Sequence, residues 1–140
     1  MRWTRLGTLL VALGCSSQRQ ALDEVAMFFH DDLRWGRMPT AEGAVAPEFR
    51  EVFNQHHRGW GQGIQLQDVE VENARGGLTE GVLRMRIHWL RGNDSTDLRE
   101  SIVEEHWVAS GTTWRLRSEA IVDGDPGLFV APPPRAATGP

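Results

Sequence analysis

The sequence predicts an α+β domain in which two N-terminal helices pack on a curved, mainly antiparallel four-stranded sheet, cone-like in outline. Three observations lead there. Apolar residues recur at spacings of three and four up to about residue 60, and they alternate with polar ones from about 63 onward. Gly-bearing breaks ("ARGG", "RGNDS", "ASGT") then divide the alternating half into runs of strand length. At 140 residues, 40% hydrophobic and 24% charged, the chain has the length and composition of one folded domain.

In the first helix, within "SSQRQALDEVAMFFHDDLRWG", Leu22, Val25, Ala26, Phe29 and Leu33 form a single apolar stripe, and Gly36 ends it. A linker with Pro39 and Gly43 follows. In "APEFREVFNQHHRGWG", Pro47 suits a first helical turn, Glu48 and Glu51 sit near the positive end of the helix, and Phe49, Val52, Phe53, His56 and Trp60 share a face. Strands are expected at about 63–73, 79–91, 96–109 and 112–122. In the second, Leu83, Met85, Ile87 and Trp89 oppose Arg84, Arg86 and His88, so one face of the sheet is buried and the other is wet. The fourth alternates likewise, with Trp114, Leu116, Ala120 and Val122 inward and Arg115, Arg117 and Glu119 outward. The tail, 124–140, holds five of the seven prolines and reads as disordered, unless Leu128, Phe129 and Val130 dock first. The domain proper is thus expected over 21–123.

Ahead of it, "MRWTRLGTLLVALGC" has a basic head (Arg2, Arg5), an apolar run from Leu6 to Leu13, and Gly14 before Cys15, the single cysteine of the chain. About eight apolar residues make roughly 12 Å of helix, too short for a bilayer core of about 30 Å, so residues 1–14 read as a processed signal segment and 15–20 as a tether. Val11-Ala12-Leu13-Gly14-Cys15 resembles the lipobox of bacterial lipoproteins. The resemblance implies diacylglycerol on the Cys15 thiol, cleavage before it, and residence in the bacterial cell envelope, with Ser16 favouring the outer membrane. The alternative is a plain secretory leader, which would leave an exposed thiol in an oxidising compartment.

The order of the elements, with "RWG", "HHRGWG", "RIHW", "EEHW" and "TWRL" in place, also resembles nuclear transport factor 2-like domains over about 18–123. Those domains share a fold with ketosteroid isomerase and polyketide-cyclase-like enzymes. The resemblance implies a helix-covered cone and, since the scaffold hosts unrelated functions, no particular activity.

Composition removes several chemistries. There is no lysine and no tyrosine, so no Schiff-base or phosphate-loop lysine and no tyrosine donor can act. The formal charge of −4, or about −6 once Arg2 and Arg5 leave with the leader, argues against nucleic-acid binding. In the third strand, "LRESIVEEHWVAS", Glu105 faces the core if Val103, Trp107 and Ala109 do, unless a bulge reverses the order. An inward carboxylate in an apolar setting is either a hydrogen-bonded structural group or a general acid or base. The catalytic version pairs Glu105 with His56 in a pocket walled by Trp89 and Trp107, with Ser118 on the same side. His30, Asp31 and Asp32, like His56 and His57, are helix neighbours that diverge by about 100° and read as solvated surface, so no metal site and no cofactor is expected. Arg84, Arg86, His88, Glu104, His106, Arg115 and Arg117 would cover the outer sheet face as a cross-strand ion lattice, with Ile102 and Ile121 offering a surface for a homodimer. The expected partners are therefore the membrane, through the lipid, a second copy of the chain and a small apolar ligand. Function is expected to be that of a tethered binding or accessory domain without turnover, the alternative being an isomerase, cyclase or dehydratase using Glu105 and His56.

Overall fold

The computed structural model describes residues 20–92 and 96–129, so the expectations for residues 1–14, Cys15 and Val130 fall outside the described residues. The architecture is α+β, with helices α1 (Leu22–Arg34), α2 (Met38–Glu42) and α3 (Arg50–His56) preceding strands β1 (Ile64–Gly76), β2 (Glu80–Arg91), β3 (Leu98–Ser110) and β4 (Thr113–Gly124). The strands form an open antiparallel meander in the order β1-β2-β3-β4.

Helix α1 buries Val25, Ala26, Phe29 and Leu33 as their spacing predicts, with Asp23 and Glu24 in its positive first turn and Gly36, at φ +70°, turning the chain away. The expected linker contains a helix of its own. Arg37, just before α2, bonds Asp31 and Asp32 of α1, at 2.6 and 2.7 Å, and Pro39 fits the first turn of α2. Ala44–Ala46 then runs along β4, where Leu116 N–H donates to Ala44 O and Ala46 N–H to Leu116 O, both at 2.8 Å, covering part of that sheet edge. A 3-10 turn at Pro47–Phe49 leads into α3, which faces the sheet with Phe53; Val52, expected on the same face, is 41% exposed.

Strand β2 alternates as read, with Leu83, Met85, Ile87 and Trp89 all buried. Strands β2 and β3 pair without a break, which keeps Ser101, Val103, Glu105 and Trp107 on the inner face. Strand β4 carries two irregularities against β3, as β1 does against β2 after Leu66 and Val71. His106 pairs with Ser118 and Trp107 with Leu116, so Arg117 is an inserted residue; Val122 is another, between Ile121 and Asp123. A one-residue insertion reverses every side chain beyond it. Glu119, expected outside, is therefore buried, while Ser118, Ala120 and Val122, expected inside, are exposed. Ile121 likewise packs on the core, leaving Ile102 on the outer face opposite Arg86.

The folded part also continues past residue 123. At Gly124 the chain leaves β4 with φ +77°, and Asp125 receives Gly127 N–H at 2.7 Å to start a 3-10 turn over Pro126–Leu128. Leu128 is fully buried and its carbonyl accepts from Trp60 Nε1 at 2.9 Å. A Cβ on Gly124 would lie 2.5 Å from Glu100 O, so Gly124→Ala meets both a backbone clash and left-handed strain, the latter alone costing about 1–2 kcal/mol. It is expected to lower the urea midpoint with an unchanged slope; an unchanged midpoint would mean the strap is held by something else.

Candidate functional site

The inner face of the sheet carries carboxylates from two adjacent strands. Glu105 on β3 and Glu119 on β4 are register partners, both buried, and each meets histidine from a different helix. Glu105, 2% exposed, has both oxygens engaged: Oε1 lies 2.7 Å from His30 Nε2 of α1, and Oε2 accepts from Trp107 Nε1 at 3.0 Å. His30 is placed by helix periodicity, four residues after Ala26 and three before Leu33, on the flank of the apolar stripe. Phe29 holds it from the side, its ring edge-on to His30 at 5.3 Å and to Trp107 at 5.2 Å.

The Nε2 contact engages one ring nitrogen of His30, and the other, Nδ1, makes no hydrogen bond among the described residues. His30 also lines an open groove of about 230 Å³ between α1 and the β1–β2 pair. Met27, Val69, Val71 and Met85 make its apolar walls, and Asp23, Asp31 and Arg34 its charged rim. An imidazole held by a buried carboxylate and turned to a groove can accept a hydrogen bond from a bound molecule, or a proton from a reacting one.

Glu119 belongs to a second cluster. Its Oε1 lies 3.1 Å from His56 Nδ1 and 3.4 Å from His57 Nδ1. Burial, and then the neighbouring Glu105 carboxylate, push the Glu119 carboxyl well above the usual range. Burial lowers His57 to about 3 against the opposing effect of its bond to Phe53 O, with a further lowering by His56. Both shifts favour the neutral forms across the short distance between Glu119 and His57. Since His57 Nδ1–H donates to Phe53 O at 2.7 Å, its Nε2 is a bare acceptor, buried with no partner among the described residues. Phe129 closes this side, stacked on His56 with the rings 4.5 Å apart and 6° from parallel.

These positions revise the expected site. Glu105 does point inward, but its partner is His30, a residue the sequence pattern assigns to solvated helix surface; His56 pairs with Glu119 instead. Trp89 and Trp107 fill the interior rather than wall a pocket, Trp89 donating from Nε1 to Ser101 Oγ at 2.9 Å. Ser118 is on the wet face. His57, also read as surface, is buried. The spacing of His30 from Ala26 and Leu33 was a usable signal, whereas nothing local marks the inversion that brings Glu119 inside. Asp31 and Asp32 pair with Arg37, and among the described residues no three His, Cys, Asp or Glu side chains converge as metal ligands would.

On the outer face Arg86 joins Glu72 and Glu100, Arg84 bonds Glu72 at 3.0 Å, His88 bonds Glu100 at 2.9 Å and His106 bonds Glu104 at 3.0 Å. Such exposed pairs contribute about 0–1 kcal/mol each. Compared with known protein families, characterised proteins and solved structures, the chain matches none.

Proposed function

We propose that the chain is a lipid-anchored protein of the bacterial cell envelope whose single domain is a binding or accessory module with no catalytic turnover. The anchor rests on the resemblance of Val11–Cys15 to a lipobox. One observation carries the module reading: the space between helices and sheet is filled by Trp89, Trp107, Phe29, Phe53 and Met85, and the Glu105 carboxylate is spent on His30 and Trp107. One surface open to a small apolar molecule is the groove beside His30. There an apolar body would lie on Met27, Val69 and Val71, with a polar group at His30 Nδ1. The fold also agrees in outline with the nuclear transport factor 2-like resemblance, which supports a binding scaffold without naming a ligand.

The 2.7 Å contact between His30 and Glu105 favours a second reading, an enzyme of the isomerase, cyclase or dehydratase kind in which His30 is the general base.

Native mass spectrometry of protein extracted from envelope membranes tests these readings together. The expected spectrum shows a chain beginning at Cys15 with diacylglycerol mass, and a retained small molecule that His30→Ala loses. Cys15→Ser is expected to leave the membrane fraction. A bare sulfur, or normal membrane retention of Cys15→Ser, overturns the anchor. A molecule released chemically altered by the unmutated protein, and unaltered by His30→Ala, selects the enzyme. The same spectrum reports whether two copies associate, and Ile102→Arg on the outer sheet face is expected to abolish the dimer mass if that face joins them.

A further inference from the structure

Granting the lipid anchor proposed above, the structure has something to say about which way the domain faces. Gln20 is the first described residue, and it is pinned at one end of the sheet. Its N–H donates to Thr112 O at 2.8 Å, and its carbonyl accepts from Trp114 Nε1 at 3.0 Å. Thr112 lies in the β3–β4 turn. The β1–β2 turn is its neighbour, since Ala109 N–H donates to Thr79 O at 2.9 Å. The start of α1 is there too, with Leu22 so close to Gly81 that a Cβ would lie 2.3 Å from Leu22 Cδ2. Two strand turns and the start of α1 therefore share one end of the molecule.

Cys15 lies five chain steps before Gln20, a span of at most about 18 Å when fully extended. The strands are 12 or 13 residues long, about 40 Å. A lipid on Cys15 can thus bring this end of the sheet to a bilayer surface and leaves the opposite end beyond reach. The near end also has an apolar contact to offer. Leu78, at the tip of the β1–β2 turn, is 88% exposed, and behind it lies a groove of about 280 Å³ walled by Leu22, Ala74, Leu83 and Trp114. Its charges are mixed rather than basic: Asp23, Glu24, Arg75 and a Glu80–Arg117 pair at 3.7 Å.

We infer that the end of the domain bearing the β1–β2 and β3–β4 turns is a membrane-facing surface, with Leu78 at the lipid headgroups. A short tether holds the tip at high effective concentration beside the bilayer, so a contact too weak to bind alone is populated. With no cluster of basic residues among the described residues at this end, the contact does not depend on anionic lipid or on low salt. The His30 groove lies along α1 above this surface and stays open to the periplasmic side.

The test uses the full lipidated chain in phosphatidylcholine vesicles containing a nitroxide-labelled lipid. Cys15 is the single cysteine and its sulfur is consumed by the anchor, so Leu78→Cys and Leu98→Cys each create one reactive thiol for a polarity-sensitive fluorophore. Both positions are exposed, Leu98 at 60% and at the far end of β3, so neither change disturbs the core. The expected result is a blue shift and loss of most emission at position 78, unaltered by added salt, with emission at position 98 nearly intact. Equal quenching at both positions, or stronger quenching at 98, overturns the orientation while flotation with the vesicles upholds the anchor. If the unmutated chain itself takes up the label at Cys15 and fails to float with the vesicles, the anchor reading falls and the orientation with it.

Discussion

Trp107→Ala is expected to destabilise the domain by about 3–5 kcal/mol through lost burial and the cavity it leaves, and by a further ~1–3 kcal/mol for the Glu105 oxygen left unpaired. Trp107 is fully buried, packs edge-on against Phe29, and makes the only hydrogen bond to Glu105 Oε2 found among the described residues. Against a typical total of about 5–15 kcal/mol, such a loss removes a large share of the stability. Trp107→Phe keeps most of the volume and removes the N–H, so its cost is expected to be near the hydrogen-bond share alone. Chemical denaturation of the two variants separates the contributions; a Trp107→Ala protein within about 1 kcal/mol of the parent would mean that the interior collapses around the loss.

Stability is expected to fall on both sides of a mildly acidic maximum. The Glu119 carboxyl is raised by burial and then by Glu105, from an ordinary value near 4.5. Above that pH the unfolded chain gives up the proton that the folded chain keeps. The unfolded state then binds fewer protons, and stability drops about tenfold in the folding equilibrium per pH unit until the folded value is passed. The histidines act in the opposite direction. His57, lowered from 6.5 to about 3, and His56, lowered by burial, stay neutral in the folded chain while the unfolded chain protonates them. Their contribution is whole above pH 6.5 and is lost on acidification, for His57 down to about pH 3. Between pH 4.5 and 6.5 Glu119 and His57 oppose each other, and His56 moves the maximum to the upper end of that window. Urea midpoints measured across pH should trace this dome, and Glu119→Gln should remove its alkaline limb, making the variant more stable than the parent at about pH 8. A parent without an alkaline limb, or a variant weaker than the parent there, would show that Glu119 is ionised inside the fold.

Much of the architecture was legible because its signals are local. The stripe from Val25 to Leu33 and the alternation from Leu83 to Trp89 each follow from one element's own period, and both fall where expected. The inward turn of Glu105 was legible for the same reason, since β3 pairs with β2 without a shift. Its partner was not. His30 lies 75 residues away, and its neighbours Asp31 and Asp32 gave the segment a polar look although the ring itself sits on the buried flank. Helix α2 was hidden because its five residues are held by Arg37 bonding back to α1 rather than by their own pattern. The strap through Leu128 was masked by the prolines around it.

By itself the sequence determined the α+β class, the order of the strands, the inner and outer faces of β2 and β3, and the absence of lysine and tyrosine chemistry. Periodicity and composition need no knowledge of distant parts of the chain. Only the tertiary structure decided that Glu105 belongs to His30, that Glu119 is inside with His56 and His57, and that the interior is filled. Those outcomes hang on single inserted residues in β4 and on which helix face meets which strand. A bulge costs little locally yet reverses everything beyond it, so its place is set by the packing of the whole sheet.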